Sequence, residues 1–357
     1  MNTHKVQDFV VKGKEVFVGL EDSKTTWKIA VRCEKMLIHQ VAMEAKYPVL
    51  KRYLGNKFPE CTTHVIYEAG FKGFNLYDRL TEDGIGCVVI PPHLVTEPKV
   101  NKVKTDKRDA RRLALVLENK DFRSSCAVPD KERREDRQIN RTLIAIQKDI
   151  IRTRNRIRKF IDFHGIEVPF VENTKWGRKE FMVLKELPLR APLKISLDML
   201  LAVLEQLWAH QTTLRASLRQ LCRKERYRKA FEIARSFPGI GWYTAIRLIL
   251  ELGDLTRFGS GKKIAAFVGL TPGEYSSGET TWKGRITGMG SGFIRATLIE
   301  NAWAAIRKDP VLLGKFRRVW KATGSKKKAI VAVARMLIVR LRACIVSGTP
   351  YVTGIAR

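Results

Sequence analysis

Two stretches in the middle of the chain repeat apolar residues at alternating steps of three and four. The first carries Ile139, Leu143, Ile146, Ile150, Ile157 and Phe160, with Thr153 at its one polar seam position. The second carries Leu197, Leu200, Leu204, Leu207, Leu214, Leu218 and Leu221, interrupted by Gln211. This spacing predicts two long helices, each with an apolar stripe that must be buried against the other or against a partner chain. The link between them, "HGIEVPFVENTKWGRKE", holds Pro169 and Gly177 and reads as a loop. The expectation is an antiparallel coiled-coil arm that is also a candidate dimerisation element. An ordinary helix pair packed on a domain satisfies the same pattern.

The segments on either side differ in character. "EVFVGLEDSKTTWKIA" (15–30) reads as two β-rich runs around a polar turn, a hairpin. "THVIYEAG" (63–70) is a second strand ending in Glu68, "FNLYDRLTEDGIG" a helix, and "CVVIPPH" (87–93) a short strand stopped by Pro91 and Pro92. Residues 1–128 therefore look like an α/β domain with a mixed sheet. From Ala234 onward the chain reads as helices with Gly-rich turns, closing on the basic apolar helix "KKKAIVAVARMLIVRLR". The expected architecture is α/β plus α, in three parts: 1–128, the arm 129–228, and a helical domain 229–357. Within the last part, "SFPGIGWYTAIRLILELG" has Pro238, Gly239, Ile240 and Gly241 in the order of a helix-hairpin-helix turn. Its glycines let backbone amides open towards a phosphate at the next helix N-terminus; a tight turn without ligand uses the same residues. The run "AAFVGLTPGEYSSGETTWKGRITGMGSG" after it reads as a loop.

Composition narrows the partner. The 357 residues carry 67 Lys and Arg against 36 Asp and Glu, a net charge of +31, with 45% hydrophobic residues. That is a folded chain with an electrostatic footprint for nucleic acid. The six cysteines are scattered without a CxxC pair, so neither a disulfide framework nor a zinc knuckle is expected. The N-terminus lacks the apolar core of a signal peptide, and Arg335, Arg340 and Arg342 break the greasiest stretch. A cytoplasmic protein without membrane contact is expected. The six histidines are isolated, and no G-x-S-x-G, Walker loop or dinucleotide fingerprint appears.

The acidic residues carry more. In "KVKTDKRDARRLA" (102–114), Asp106 and Asp109 stand three apart among Lys102, Lys104, Lys107, Arg108, Arg111 and Arg112. Positions i and i+3 share a helix face, so both carboxylates point the same way. A solvated helix laced with Asp–Arg pairs is the plain explanation. The sharper one is a Mg²⁺ site working on a phosphate backbone: carboxylates bind the cation, while Lys104, Lys107, Arg108, Arg111 and Arg112 hold nucleic acid. Glu68 at a strand end and either Glu21 or Asp22 at another would join the two aspartates. Side chains alternate along a strand, so Glu21 and Asp22 point to opposite faces and only one can meet Glu68.

"VGLEDSK", "VIYEAG" and "VKTDKRDARRLA", followed in order by "FPGIGWYTA", "FVGLTPGEYSSG" and "GRIT", closely resemble the DEDD transposases of bacterial insertion sequences. These are related to pilin-gene DNA invertases and are also known as bridge-RNA-guided recombinases. The resemblance covers nearly the whole chain. It implies an N-terminal RuvC-like domain of ribonuclease-H fold, a coiled coil, and a C-terminal transposase domain. It places the acidic tetrad on Glu21, Glu68, Asp106 and Asp109, with Glu21 where the family usually has Asp, and the catalytic serine on Ser277, with Ser276 the alternative. It implies a covalent phosphoserine, Mg²⁺ at the tetrad, donor and target DNA, a structured guide RNA and a dimer or tetramer. Lys283 and Arg285 of "WKGRIT", with Gly239 and Gly241, are the further candidate nucleic-acid contacts. The rival expectations are a Mg²⁺-dependent junction-resolving nuclease using the tetrad and water, and a nucleic-acid-binding protein without catalysis.

Overall fold

A computed structural model describes residues 11–92, 105–122, 125–169, 177–277 and 280–354, with backbone alone over 274–283. The chain divides into two compact units, Met1–Val128 and Pro129–Arg357.

The first unit is built on a five-stranded sheet in the order β3-β2-β1-β4-β5. Its strands are β1 (Glu15–Glu21), β2 (Thr26–Cys33), β3 (Met36–Glu44), β4 (Thr62–Glu68) and β5 (Gly86–Ile90). The first three form an antiparallel meander, and β1, β4 and β5 run parallel. Parallel neighbours need crossovers, which α1 (Tyr47–Lys57) and α2 (Asn75–Glu82) supply. This mixed sheet is consistent with the ribonuclease-H-like expectation. Alternation sorts the strands onto two faces. Val16, Val18 and Leu20 of β1 and Val65 and Tyr67 of β4 pack with Leu50, Leu54, Leu76 and Leu80 of α1 and α2. Ile66 of β4 and Ile90 of β5 pack instead with Leu113, Val116 and Leu117 of α3 (Asp106–Glu118), joined by Phe17.

The second unit holds α4 (Lys131–Phe163), α5 (Arg178–Lys185), α6 (Ala191–Leu221), α7 (Glu225–Arg235), α8 (Trp242–Leu252) and α9 (Gly261–Phe267). The hairpin β6 (Pro272–Ser277) and β7 (Thr280–Ile286) follows, then α10 (Gly292–Ala305), α11 (Pro310–Thr323) and α12 (Lys326–Ser347). α4 and α6 pack along one another, with Ile150, Ile157 and Ile161 against Leu197, Leu201 and Leu204. The buried positions are Ile161 and Leu201, not the expected Phe160 and Leu200, which are only partly buried. An α-helix turns every 3.6 residues, so a strict 3.5-residue seam drifts around it. Leu143, Leu218 and Leu221 leave this seam and join the core built by α8 and α12.

The stretch expected as a loop after α9 requires correction, because residues 272–277 and 280–286 form the β6–β7 hairpin with Ser277 opposite Thr280. The Arg295 guanidinium of α10 donates to the carbonyls of Val268 (3.3 Å), Met289 (2.8 Å) and Gly290 (3.2 Å), fixing the chain on both sides of the hairpin. No helix among the described residues is long and apolar enough to cross a membrane.

Candidate functional site

One residue sets the geometry of the acidic face. A β-carbon on Gly19 would collide with the backbone of Ala110 and Ala114, so its absence lets α3 lie directly against β1. Ala30, Ala110 and Ala114 complete that close contact. Phe17, Gly19 and Glu21 alternate onto the same face of β1, which is therefore the face α3 covers. In β4 the same alternation puts Glu68 with Ile66, again on the α3 face.

The helix runs opposite to β1. Glu118 at its end bonds Arg32 (2.6 Å), which pairs with Phe17 early in the strand. Advancing from Gly19 to Glu21 covers about 6.6 Å. Stepping back from Ala110 to Asp106 covers about 6 Å in the same direction. The first turn of α3, with Asp106 and Asp109, thus lies towards the ends of β1 and β4 that carry Glu21 and Glu68. Gln40 of β3 fixes it there, donating to the Lys107 carbonyl (2.9 Å) and accepting from Arg111 Nε (2.8 Å).

Asp109 is only 8% exposed; its backbone N–H bonds the Thr105 carbonyl, while its carboxylate makes no hydrogen bond or ion pair among the described residues. A carboxylate in that position costs free energy unless a cation or donor meets it. Asp106 is exposed. Glu68 Oε1 lies 3.6 Å from Arg112 Nη2. The four donors are all carboxylates, which suits a hard divalent cation. Among the described residues no three His, Cys, Asp or Glu side chains yet converge as a metal cage. The set therefore fits such an ion by donor chemistry and by the unmet Asp109, not by a closed coordination shell.

Asp22 has a different task. Its carboxylate accepts the Trp27 indole N–H (2.6 Å) and ion-pairs with Lys72 (2.9 Å), and its side chain is 6% exposed. Trp27 belongs to the core on the α1/α2 face. These two side-chain contacts tie Asp22 to the α1/α2 side of the sheet.

Of the expected nucleic-acid contacts, Lys107, Arg108 and Arg111 are exposed on α3, and Arg285 is exposed on β7. Arg112 is half-buried beside Glu68. Lys104 lies outside the described residues, and Ser276, Ser277 and Lys283 are described in backbone alone. Gly239 has φ +85°, and a β-carbon there would press on Ala304 and on the Asn301 and Ala305 backbone of α10. Helix packing alone therefore demands that glycine. Gly241 caps α8 and is exposed. Sequence reasoning missed Gln40, whose partners lie 67 and 71 residues away and leave no local signal.

A model described as "Transposase" matches residues 18–166, spanning the sheet, α3 and α4. A second, "Transposase IS116/IS110/IS902 family", matches residues 231–317, which include the β6–β7 hairpin. A putative transposase, y4rJ, of Sinorhizobium fredii is 30% identical over 91% of this chain and 90% of its own. A second from that organism, y4qE, is 28% identical over 81% of this chain and 72% of its own. The pilin gene-inverting protein of Moraxella bovis is 29% identical over 32% of this chain and 37% of its own. Domains of the DEDD transposase type are in general divalent-metal dependent. With both models matched in order and a relative aligned over nearly its whole length, this chain belongs to the IS116/IS110/IS902 family of transposases, enzymes that cut and rejoin DNA.

Proposed function

We propose that the chain transposes DNA through a covalent phosphoserine, with Ser277 as nucleophile and Glu21, Glu68, Asp106 and Asp109 holding Mg²⁺. The observation that carries this reading is Asp109, a buried residue whose carboxylate has no partner among the described residues, on the face that also bears Glu21 and Glu68. The Ser277 hydroxyl oxygen bonds to phosphorus while the bond from phosphorus to the leaving deoxyribose oxygen breaks. The serine gives up its proton to a base, and the leaving oxygen takes one up. Attack on the phosphoserine by a strand-end hydroxyl reverses these changes, joining the new strand and releasing serine without ATP. A divalent cation at the tetrad would stabilise the attacking and leaving oxygens. Exposed Lys107, Arg108, Arg111 and Arg285, with Lys104 and Lys283, bind flanking phosphates; Arg112 orients Glu68. Within Pro129–Arg357 we read a coiled-coil arm over 129–228 and a transposase domain over 229–357 with a helix-hairpin-helix-like turn at Gly239–Gly241. Acting on two duplexes calls for several active sites, so a dimer or tetramer follows. A structured guide RNA in the cytoplasm is supported by the family resemblance and by the +31 charge.

A covalent protein–DNA adduct surviving SDS is the test. Ser277→Ala removes the adduct and Ser276→Ala keeps it. Mass mapping of the adduct to Ser276 or Tyr275 would overturn the assignment, and cleavage without any adduct would favour a tetrad-and-water nuclease.

A further inference from the structure

In the second unit, a cleft of about 580 Å³ is lined from α6, α7, α8 and the α6–α7 turn. Arg219, Arg223, Arg228 and Arg235 surround it, against the single carboxylate of Glu232. Glu232 lies 3.8 Å from Arg228, which also reaches Glu225 at 3.6 Å. Arg219, Arg223 and Arg235 make no salt bridge with an acid among the described residues. Three such guanidinium groups repel one another, and an anion in the cleft offsets that repulsion. Trp242 supplies a planar wall, with the Arg219 guanidinium carbon 4.7 Å from its ring centre. It is also the first residue of α8, whose N-terminus carries no capping side chain and no acid in its first turn. The positive end of that helix dipole adds to the arginines. Burial pushes the Cys222 thiol in the lining up to about 11, so it is a protonated, unreactive wall.

We propose that this cleft binds a phosphate of single-stranded nucleic acid with its base stacked on Trp242. Arg219, Arg223 and Arg235 match the phosphate, and a tryptophan beside them matches an unpaired base without choosing its identity. A paired duplex keeps its bases stacked inside, out of reach of Trp242, whereas a space of this size accepts a nucleotide. The proposal rests on the chain's handling of nucleic acid and is independent of the tetrad and Ser277.

The full chain is titrated with a labelled single strand of mixed sequence, as DNA and as RNA, and with the DNA duplex, over a salt series. Trp242→Ala is expected to weaken single-strand binding about tenfold while sparing the duplex. Trp242→Phe retains most of the affinity. The triple variant R219A/R223A/R235A lowers both single-strand affinity and its salt slope, by about 2 for three lost phosphate contacts. K326A/K327A/K328A removes the same charge from exposed positions on α12 and costs less. Equal losses from the arginine and lysine triples overturn the proposal, as does a folded Trp242→Ala protein with unchanged single-strand affinity. Should Trp242→Ala fail to fold, the exposed arginines still decide. The strand type bound more tightly identifies the natural ligand as DNA or RNA. The phosphoserine adduct is scored separately on the same variants, so this cleft and the serine mechanism can fail independently.

Discussion

The two faces of the five-stranded sheet share the same strands and ask opposite things of them. On the α1/α2 face, Val16, Val18, Leu20, Val65 and Tyr67 are buried apolar residues that pack to fill space. On the α3 face the same strands present, beyond Phe17 and Ile66, Gly19, Glu21 and Glu68, a missing side chain and two charges at the strand ends. Two aspartates make the contrast sharpest: Asp22 is satisfied by Trp27 and Lys72, while the buried Asp109 on the α3 side has no side-chain partner among the described residues. One face stabilises the domain, and the other spends part of that stability to hold carboxylates ready.

The largest effect follows from breaking the close approach. Gly19→Val puts a branched side chain into the backbone of Ala110 and Ala114, neither of which can yield as a flexible side chain would. Strand transfer disappears, and the N-terminal unit loses stability by roughly 3 kcal/mol or more. Retained activity with an unshifted melting temperature would show that α3 does not need β1 at this distance.

Next come the carboxylates, which separate the faces by kind. Asp109→Asn and Glu21→Gln abolish strand cleavage. Asp109→Asn leaves the metal-free protein at least as stable as wild type, because no side-chain hydrogen bond or ion pair seen among the described residues is lost. Asp22→Asn does the reverse: it costs about 1–2 kcal/mol through the lost ion pair with Lys72, the amide oxygen still accepting from Trp27, and only weakens cleavage. Denaturant unfolding in EDTA, run beside cleavage assays in Mg²⁺, reads both quantities. An Asp22→Asn protein dead in cleavage, with Glu21→Gln active, would move the ligand by one residue.

Much of this face was legible in the chain itself. The β1–β2 hairpin, β4 ending at Glu68, β5 stopped before Pro91, and the Asp106/Asp109 pair all follow from local pattern. Alternation alone divided β1 into its Glu21 and Asp22 sides, whereas the close approach of α3 at Gly19 emerged only from the fold. What stayed hidden had no local signature. β3 and α1 were not anticipated, because the β2–β3 turn uses Glu34 (φ +48°) and Lys35 (φ +64°) in place of the usual Asn-Gly. The β6–β7 hairpin is written in Gly, Ser and Thr, the composition of a loop, so pairing and not propensity defines it. Gln40 became part of the site only through the fold.

The smallest effect tests whether β3 obeys the same division. His39 and Gln40 are neighbours, yet His39 meets the Tyr53 hydroxyl of α1 (2.8 Å) while Gln40 holds the first turn of α3. Burial, and then the nearby Lys57 charge, hold the His39 imidazole below its ordinary 6.5. The unfolded chain therefore takes up this proton at a higher pH than the folded one. Below 6.5 the unfolded state is favoured progressively, until the folded imidazole also protonates. His39→Gln removes that slope, so its melting temperature, measured from pH 8 down to pH 5, should fall less steeply than that of wild type. Strand transfer at neutral pH should be unchanged, whereas Gln40→Ala, which frees the first turn of α3, should lower it without altering the slope. Parallel melting curves for wild type and His39→Gln would mean that His39 does not sense the fold, and a loss of transfer in His39→Gln would mean that the α1 face reaches the acidic site after all.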